Sequence, residues 1–243
     1  MMAIKKIVST PDETVADISD GATIMMGGFG HAVDRPQNLI KALAKKGVKN
    51  LTIISNSAGV AGKLGIGSLG GKPFIDEEVL IENGQVKKVI CSVPASLVMS
   101  KPNAFERLYK EGKIELEYVP QGTLVERIRA GGAGLGGFYT PTGVGTLIEK
   151  GKEKRTIDGK EMIFEFSLKA DYAFIRAYKA DTMGNLIYKG IMRSFNAVMP
   201  QAVRVAIVEV EEIVETGGLD PEIIITPGIF VDRIVKIPRE GSS

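Results

Sequence analysis

Two short apolar runs, Ala22–Met26 and Leu51–Ser55, flank a segment, Pro36–Lys46, whose apolar residues Leu39, Ile40, Leu43 and Ala44 recur at helical spacing. This alternation is the strongest constraint on the fold. Neither run has a polar face, so each reads as a strand buried on both sides. The helix between them covers one face and carries the chain back to start a parallel neighbour, the right-handed βαβ unit. Boundary signals agree: Asp20-Gly21 and Gly27-Gly28 bracket the first strand, and Gly47 closes the helix. Upstream, Thr10-Pro11-Asp12-Glu13 has the form of a helix start, with Thr10 as N-cap, Pro11 in the first turn and Glu13 three residues after the cap.

The same reading extends along the chain. Val86–Val93 and Glu115–Val119 are predicted strands with a helical Asn103–Lys110 between them, and Thr123–Arg129 is predicted to form one or two helical turns. Gly131–Gly137 (GGAGLGG) is expected to hold no regular structure. Lys150–Phe166 reads as a polar β-hairpin turning on Asp158-Gly159. AFIRAY, NLIY, RVAIVEV and RIVKI supply later strands, with Phe195–Ala202 helical. No repeat or low-complexity linker divides the chain. The expectation is one α/β domain over residues 1–240, with an open, mainly parallel sheet, flanking helices and an inserted hairpin. The final Gly-Ser-Ser, 241–243, reads as a tag remnant.

Composition excludes several function classes. The formal net charge of +2 gives no reason to expect a nucleic-acid or anionic-membrane surface, and no long uncharged apolar run suggests a membrane span. One cysteine, Cys91, cannot form an internal disulfide and points to a reducing cytoplasm; its setting in VICSV is that of inert core packing. His31 is the single histidine, so a multi-histidine metal site is excluded, and no cysteine cluster substitutes for one. Asp171, Asp181, Arg176 and Arg193 could be catalytic, but their types fit salt-bridged structural roles better.

Three stretches could bind a ligand. The loop GGFGHAVDRP after the first strand begins like a dinucleotide fingerprint, but Val33 stands where the third glycine belongs and no acidic residue ends LTIIS. Gly27 and Gly28 therefore either let a ligand approach the backbone closely or simply make a tight turn. Gln121, in Pro120-Gln121-Gly122-Thr123, should sit at a strand's carboxyl end, where open α/β sheets place ligands. It could donate a side-chain N–H to an oxyanion or be a solvent-facing turn residue. Gly131–Gly137 with Tyr139–Gly143 is either a ligand rim or a flexible surface loop. Glu82, in Ile81-Glu82-Asn83-Gly84, reads as part of a solvated turn. No catalytic set is complete, and the missing nucleophile points to a second chain.

These stretches together resemble the α subunit of family I coenzyme A transferases of the 3-oxoacid type, nearly end to end from Val8 to Ile237. The resemblance rests on Asp20-Gly21 followed by Ile24–Met26 and Gly27-Gly28-Phe29, and on KNLTIISNSAG, VPQGTLVERIRAGGAGLGGFYTPTGVGT, DTMGNLIY and TPGIF. It implies the CoA-transferase (NagB/RpiA-like) fold and transfer of CoA between a short-chain acyl-CoA and a free acid such as acetoacetate or 3-oxoadipate. Coenzyme A would be a substrate, with no metal and no permanently bound cofactor. The nucleophilic glutamate would lie on a β subunit, in an α2β2 assembly, and Glu82 would only imitate its sequence context. Gln121 aligns with an oxyanion-hole glutamine, and Gly27, Gly28, Phe29, Gly30, His31, Ala32 and Val33 with a CoA-site loop; Gly131–Gly137 would border the active site. Two departures stand out. The glycine loop is one residue longer than the family signature and carries His31, Asp34 and Arg35, and GGKPFIDEEV at 70–79 is an apparent insertion. Both could reshape the acyl or CoA pocket. Two other functions are compatible with this fold: a non-catalytic acyl-CoA or sugar-phosphate binding protein, and a self-sufficient sugar-phosphate isomerase.

Overall fold

The computed structural model describes residues 6–60, 71–96 and 100–237. Among these, nine strands form one sheet. Its order is β1 (Ile7–Val8), β12 (Arg233–Lys236), β11 (Val203–Val214), β9 (Ala170–Asp181), β2 (Thr23–Met26), β3 (Leu51–Ser55), β4 (Val86–Cys91) and β5 (Glu115–Tyr118). Every pairing along this order is parallel; only β10 (Leu186–Ile187) lies antiparallel, on β9. From β2 the chain builds outward through β3, β4 and β5, then returns to place β9, β11 and β12 on β2's other side. The strand order thus reverses between β2 and β9, and ligands in open α/β sheets bind at the carboxyl ends beside such a reversal.

Helices cover both faces. Ile24, Met26 and Ile53 pack with Leu39 and Leu43 of α2 (Gln37–Lys46), Leu80 of α3 (Glu78–Glu82) and Phe105 of α4 (Ala104–Lys110). The alternate residues, Met25 and Ile54, pack on the other face with Leu124 and Ile128 of α5 (Gln121–Gly132) and with Phe195 and Met199. The expected boundary signals operate: Thr10 Oγ1 accepts the Glu13 amide at 3.2 Å, and Gly47 closes α2 in the left-handed conformation. The predicted hairpin is present as β7 (Lys154–Ile157) and β8 (Lys160–Phe166), with positive φ at Asp158 and Gly159. A third strand, β6 (Gly137–Thr140), joins it in a small antiparallel sheet.

One local expectation is corrected and one refined. Gly131 and Gly132 end helix α5 and Gly137 opens β6, so the glycine run is not devoid of regular structure. Here glycine serves close approach. A Cβ on Gly131 would lie 2.0 Å from the Leu168 carbonyl oxygen, and one on Gly137 would lie 2.3 Å from that of Glu165. Phe195–Ala202 is helical as expected, in the form of two short 3₁₀ turns, Phe195–Ala197 and Met199–Ala202. Pro200 has no amide hydrogen and disfavours helical backbone at the residue before it.

Candidate active site

The glycine loop leaves β2 at the reversal of strand order. Gly27 N–H donates to the Phe174 carbonyl of β9 at 2.9 Å. Gly28 and Gly30 then adopt φ of 104° and 112°, which only glycine takes readily. Asp34 folds the loop back on itself. Its buried carboxylate accepts the amides of Phe29 at 2.6 Å and His31 at 3.2 Å. Burial pushes the Asp34 pKa up, against the pull of Arg35 and the two amides. Asn196, fully buried, clamps the loop from the side: Nδ2 donates to the Asp34 and Met192 carbonyls at 2.9 Å each, while Oδ1 accepts the Arg176 amide at 3.0 Å. A Cβ on Gly27 would sit 1.8 Å from that oxygen.

The loop's residues alternate in exposure. Phe29, His31 and Val33 face outward, while Gly28, Gly30, Asp34 and Arg35 are buried. Of the three polar residues expected to distinguish this loop, only His31 is displayed; Asp34 turns inward to the amides of its own loop, and Arg35 to the buried Glu77 and Ser57.

Gln121 is the first residue of α5, just beyond the carboxyl end of β5 as expected. One of its amide N–H bonds reaches Asn56 Oδ1 at 2.6 Å. Asn56 follows β3 and is itself held by its backbone, whose carbonyl accepts the amides of Ser92 at 3.1 Å and Val93 at 3.0 Å. A primary amide has two N–H donors, so one remains for another acceptor. Gln121 and Phe29 line one open hollow of about 430 Å³, walled by Val125, Phe195 and Val198. Phe29 stacks on Phe195 with ring centroids 6.3 Å apart. The acidic residue at the hollow, Glu126, is engaged by Arg129 at 3.0 Å. A second hollow of about 410 Å³ continues along α5, sharing Arg129 and Val198 and bordered by Leu135 and Phe138.

The fold therefore brings Phe29 and Gln121 together from loops far apart in sequence. It leaves Glu82 exposed at the end of α3, near Arg107 at 3.9 Å. Cys91 is buried, its thiol pushed up to about 12 by burial and by the charge of Glu77, so it is no nucleophile. Asp171 accepts the Thr23 amide at 3.0 Å, Asp181 caps the turn at Met183 and Asn185, Arg176 pairs with Glu211 at 3.2 Å, and Arg193 is exposed. Sequence reasoning missed Asn56 and Asn196. Asn56 had a signal, a polar residue immediately after a buried strand. Asn196 had none, because its partners lie in β9 and the glycine loop.

Residues 8–237 match the family described as coenzyme A transferase. The chain belongs to that family. It is 46% identical over 240 residues to the A-type chain of the 3-oxoadipate CoA-transferase of Pseudomonas putida, covering 99% of this chain and 97% of that one. It is 45% identical over 230 residues to the A-type chain of the probable succinyl-CoA:3-ketoacid coenzyme A transferase of Bacillus subtilis, covering 95% and 89%. Among solved structures, an Escherichia coli acyl-CoA transferase in a thioester complex with CoA superposes with a TM-score of 0.81 at 25% identity; the match covers 98% of this chain but 48% of that one. Glutaconate coenzyme A-transferase from Acidaminococcus fermentans shares the fold, with a TM-score of 0.78 at 21% identity, covering 96% and 76%. For a coenzyme A transferase chain, the hollow at Gln121 and Phe29 is the candidate active site, lying at the carboxyl ends of the strands, the side on which the glycine loop leaves the strand-order reversal.

Proposed function

We propose that this chain is the α subunit of a heteromeric CoA-transferase, working with a β subunit that carries the nucleophilic carboxylate. It would move CoA between a short-chain acyl-CoA and a 3-oxo or other short carboxylic acid, with CoA as a substrate and no resident cofactor. The α2β2 assembly and a cytoplasmic setting belong to the same proposal. One observation carries it: Gln121, oriented by Asn56, presents an amide to an open hollow whose acidic residue, Glu126, is engaged by Arg129. On this reading Gln121 would serve as an oxyanion donor for a nucleophile supplied by the partner subunit.

Each step of the transfer fits that division of labour. Attack of the β-subunit carboxylate on the thioester carbonyl expels CoA thiolate and leaves an acyl anhydride. The thiolate attacks the glutamyl carbonyl, releasing the first acid and leaving a glutamyl-CoA thioester. The acceptor carboxylate and this thioester exchange by the reverse sequence, which regenerates the carboxylate. Every step passes through a tetrahedral oxyanion, and the second N–H of Gln121, which meets no acceptor among the described residues, would stabilise it. A preorganised donor of this kind contributes about 3–4 kcal/mol. Phe29 and the glycine backbone would border the bound pantetheine chain.

The test uses the chain co-expressed with the product of its neighbouring reading frame. The complex should exchange CoA with acetoacetate, 3-oxoadipate, acetate or butyrate, and the isolated chain should not. Gln121→Ala should lower kcat at least ten-fold with the complex intact. Near-normal turnover in that variant refutes the role of Gln121, and turnover by the isolated chain refutes the divided site.

A further inference from the structure

The two departures from the family signature meet in the folded chain. Arg35, at the end of the lengthened glycine loop, and Glu77, from the apparent insertion, form an ion pair with both side chains fully buried. Gly70 of that insertion lies outside the described residues; 71–79 are described. The second guanidinium nitrogen of Arg35 donates to Ser57 Oγ at 2.9 Å. Ser57 follows Asn56, the residue that holds Gln121, and bridges to Val93 beside β4. The aliphatic stem of Arg35 forms the floor of the glycine loop, with its Cδ 2.8 Å from where a Gly28 Cβ would lie.

The segment around Glu77 is firmly seated. Asp76 Oδ2 accepts the Val60 amide at 2.9 Å, Glu78 Oε1 accepts the Ala104 amide at 2.8 Å, and the Ile75 amide donates to Gln37 Oε1 at 3.0 Å. The pair is not optimised for stability, because Arg35 Nε and Glu77 Oε2 are buried with no hydrogen-bond partner among the described residues. An apolar pair of similar volume would fill the space as well or better. What the ion pair adds is direction: a planar guanidinium with two fixed donors sets the loops it joins at defined positions.

We propose that Arg35 and Glu77 are positioning residues of the active site, joining the glycine loop to the Ser57 loop so that Phe29 and the Asn56–Gln121 pair face each other across the hollow. The two departures are then one device, and the 71–79 segment is a prop beneath the site rather than part of the ligand pocket. The inference rests on the role given to Gln121 under Proposed function.

The test is a mutant cycle in the co-purified complex. Arg35→Met combined with Glu77→Leu removes both charges and most of the hydrogen bonding while keeping the space filled. This double variant should co-purify and melt within a few degrees of the wild type, yet lose kcat at least ten-fold with KM for the acyl-CoA changed less than three-fold. Adding Gln121→Ala to it should then cost less than three-fold, because the glutamine is already out of place. A stable double variant with wild-type kcat overturns the proposal. So does a full ten-fold further loss on adding Gln121→Ala. Should the double variant fail to assemble, Glu77→Gln carries the same comparison: sub-additive loss with Gln121→Ala supports positioning, and additive loss overturns it. Absence of any CoA transfer by the wild-type complex would instead defeat the transferase reading itself.

Discussion

Gly131→Ala sets two opposed effects against each other. Gly131 lies in the last turn of α5, so alanine suits its backbone, and helix propensity alone predicts a gain of about 1 kcal/mol. The new Cβ, however, would stand 2.0 Å from the Leu168 carbonyl oxygen, more than an ångström inside ordinary contact. That carbonyl has little room to retreat. The Leu168 amide donates to the Arg127 carbonyl at 2.8 Å, and Arg127 Nε donates to the Phe166 carbonyl at 2.7 Å, so the whole β8–β9 connection would have to move. Overpacking against side chains costs roughly 1–3 kcal/mol, and a backbone neighbour puts this site at the upper end or beyond. The clash wins: the net effect should be a loss of about 1–3 kcal/mol, read as a lower denaturation midpoint of the purified chain in urea with an unchanged slope. Gly122→Ala, in the first turn of the same helix with open space around its Cβ, is the control and should be neutral or stabilising by up to about 1 kcal/mol. A Gly131→Ala chain as stable as wild type would refute the claim that this helix end is glycine because the backbone of residue 168 docks on it.

Three further outcomes are expected. Glu126→Gln should retain CoA transfer by the complex within about three-fold, since its carboxylate is engaged by Arg129; a hundred-fold loss would place the nucleophile on this chain. Glu209, buried beneath the start of α2, is pushed up to about 7 by burial, against the pull of Arg176 and the Asn38 and Leu39 amides. Its folded pKa lies above the unfolded carboxylate value, so the folded state binds the extra proton. Its contribution to stability is therefore fully present below about 4.5 and is lost as pH rises through about 7. Glu209→Gln should flatten the fall in urea midpoint between pH 5 and 8; an unchanged slope would count against this assignment. Cys91, fully buried with its thiol pushed up to about 12, should resist iodoacetamide at pH 8 in the folded complex and react fully in guanidinium; rapid labelling of the native form would contradict its burial.

The amino-acid sequence by itself determined the elements and much of their arrangement, because those signals are local. Apolar runs without a polar face forced Thr23–Met26 and Leu51–Ser55 into a doubly covered parallel sheet, Thr10 and Gly47 marked helix ends, and Asp158-Gly159 made the hairpin turn. Gln121 could be placed at a strand's carboxyl end from its own neighbourhood. Three things were decided only by the tertiary structure: which glycines serve turns and which serve contact, which polar residues of the glycine loop face solvent, and what orients Gln121. Gly131 looks like flexibility in sequence, and only the position of Leu168 shows that it answers to packing. Asp34 and Arg35 both look like displayed charges; the Asp34 carboxylate turns in to the nearby Phe29 and His31 amides, but only Ser57 and Glu77, brought from distant segments, draw Arg35 inside. The reason is physical: backbone propensity and burial pattern act over a few residues. The partners that satisfy a buried charge lie 22 residues away for Ser57 and 42 for Glu77, and they exist as neighbours only once the sheet has formed.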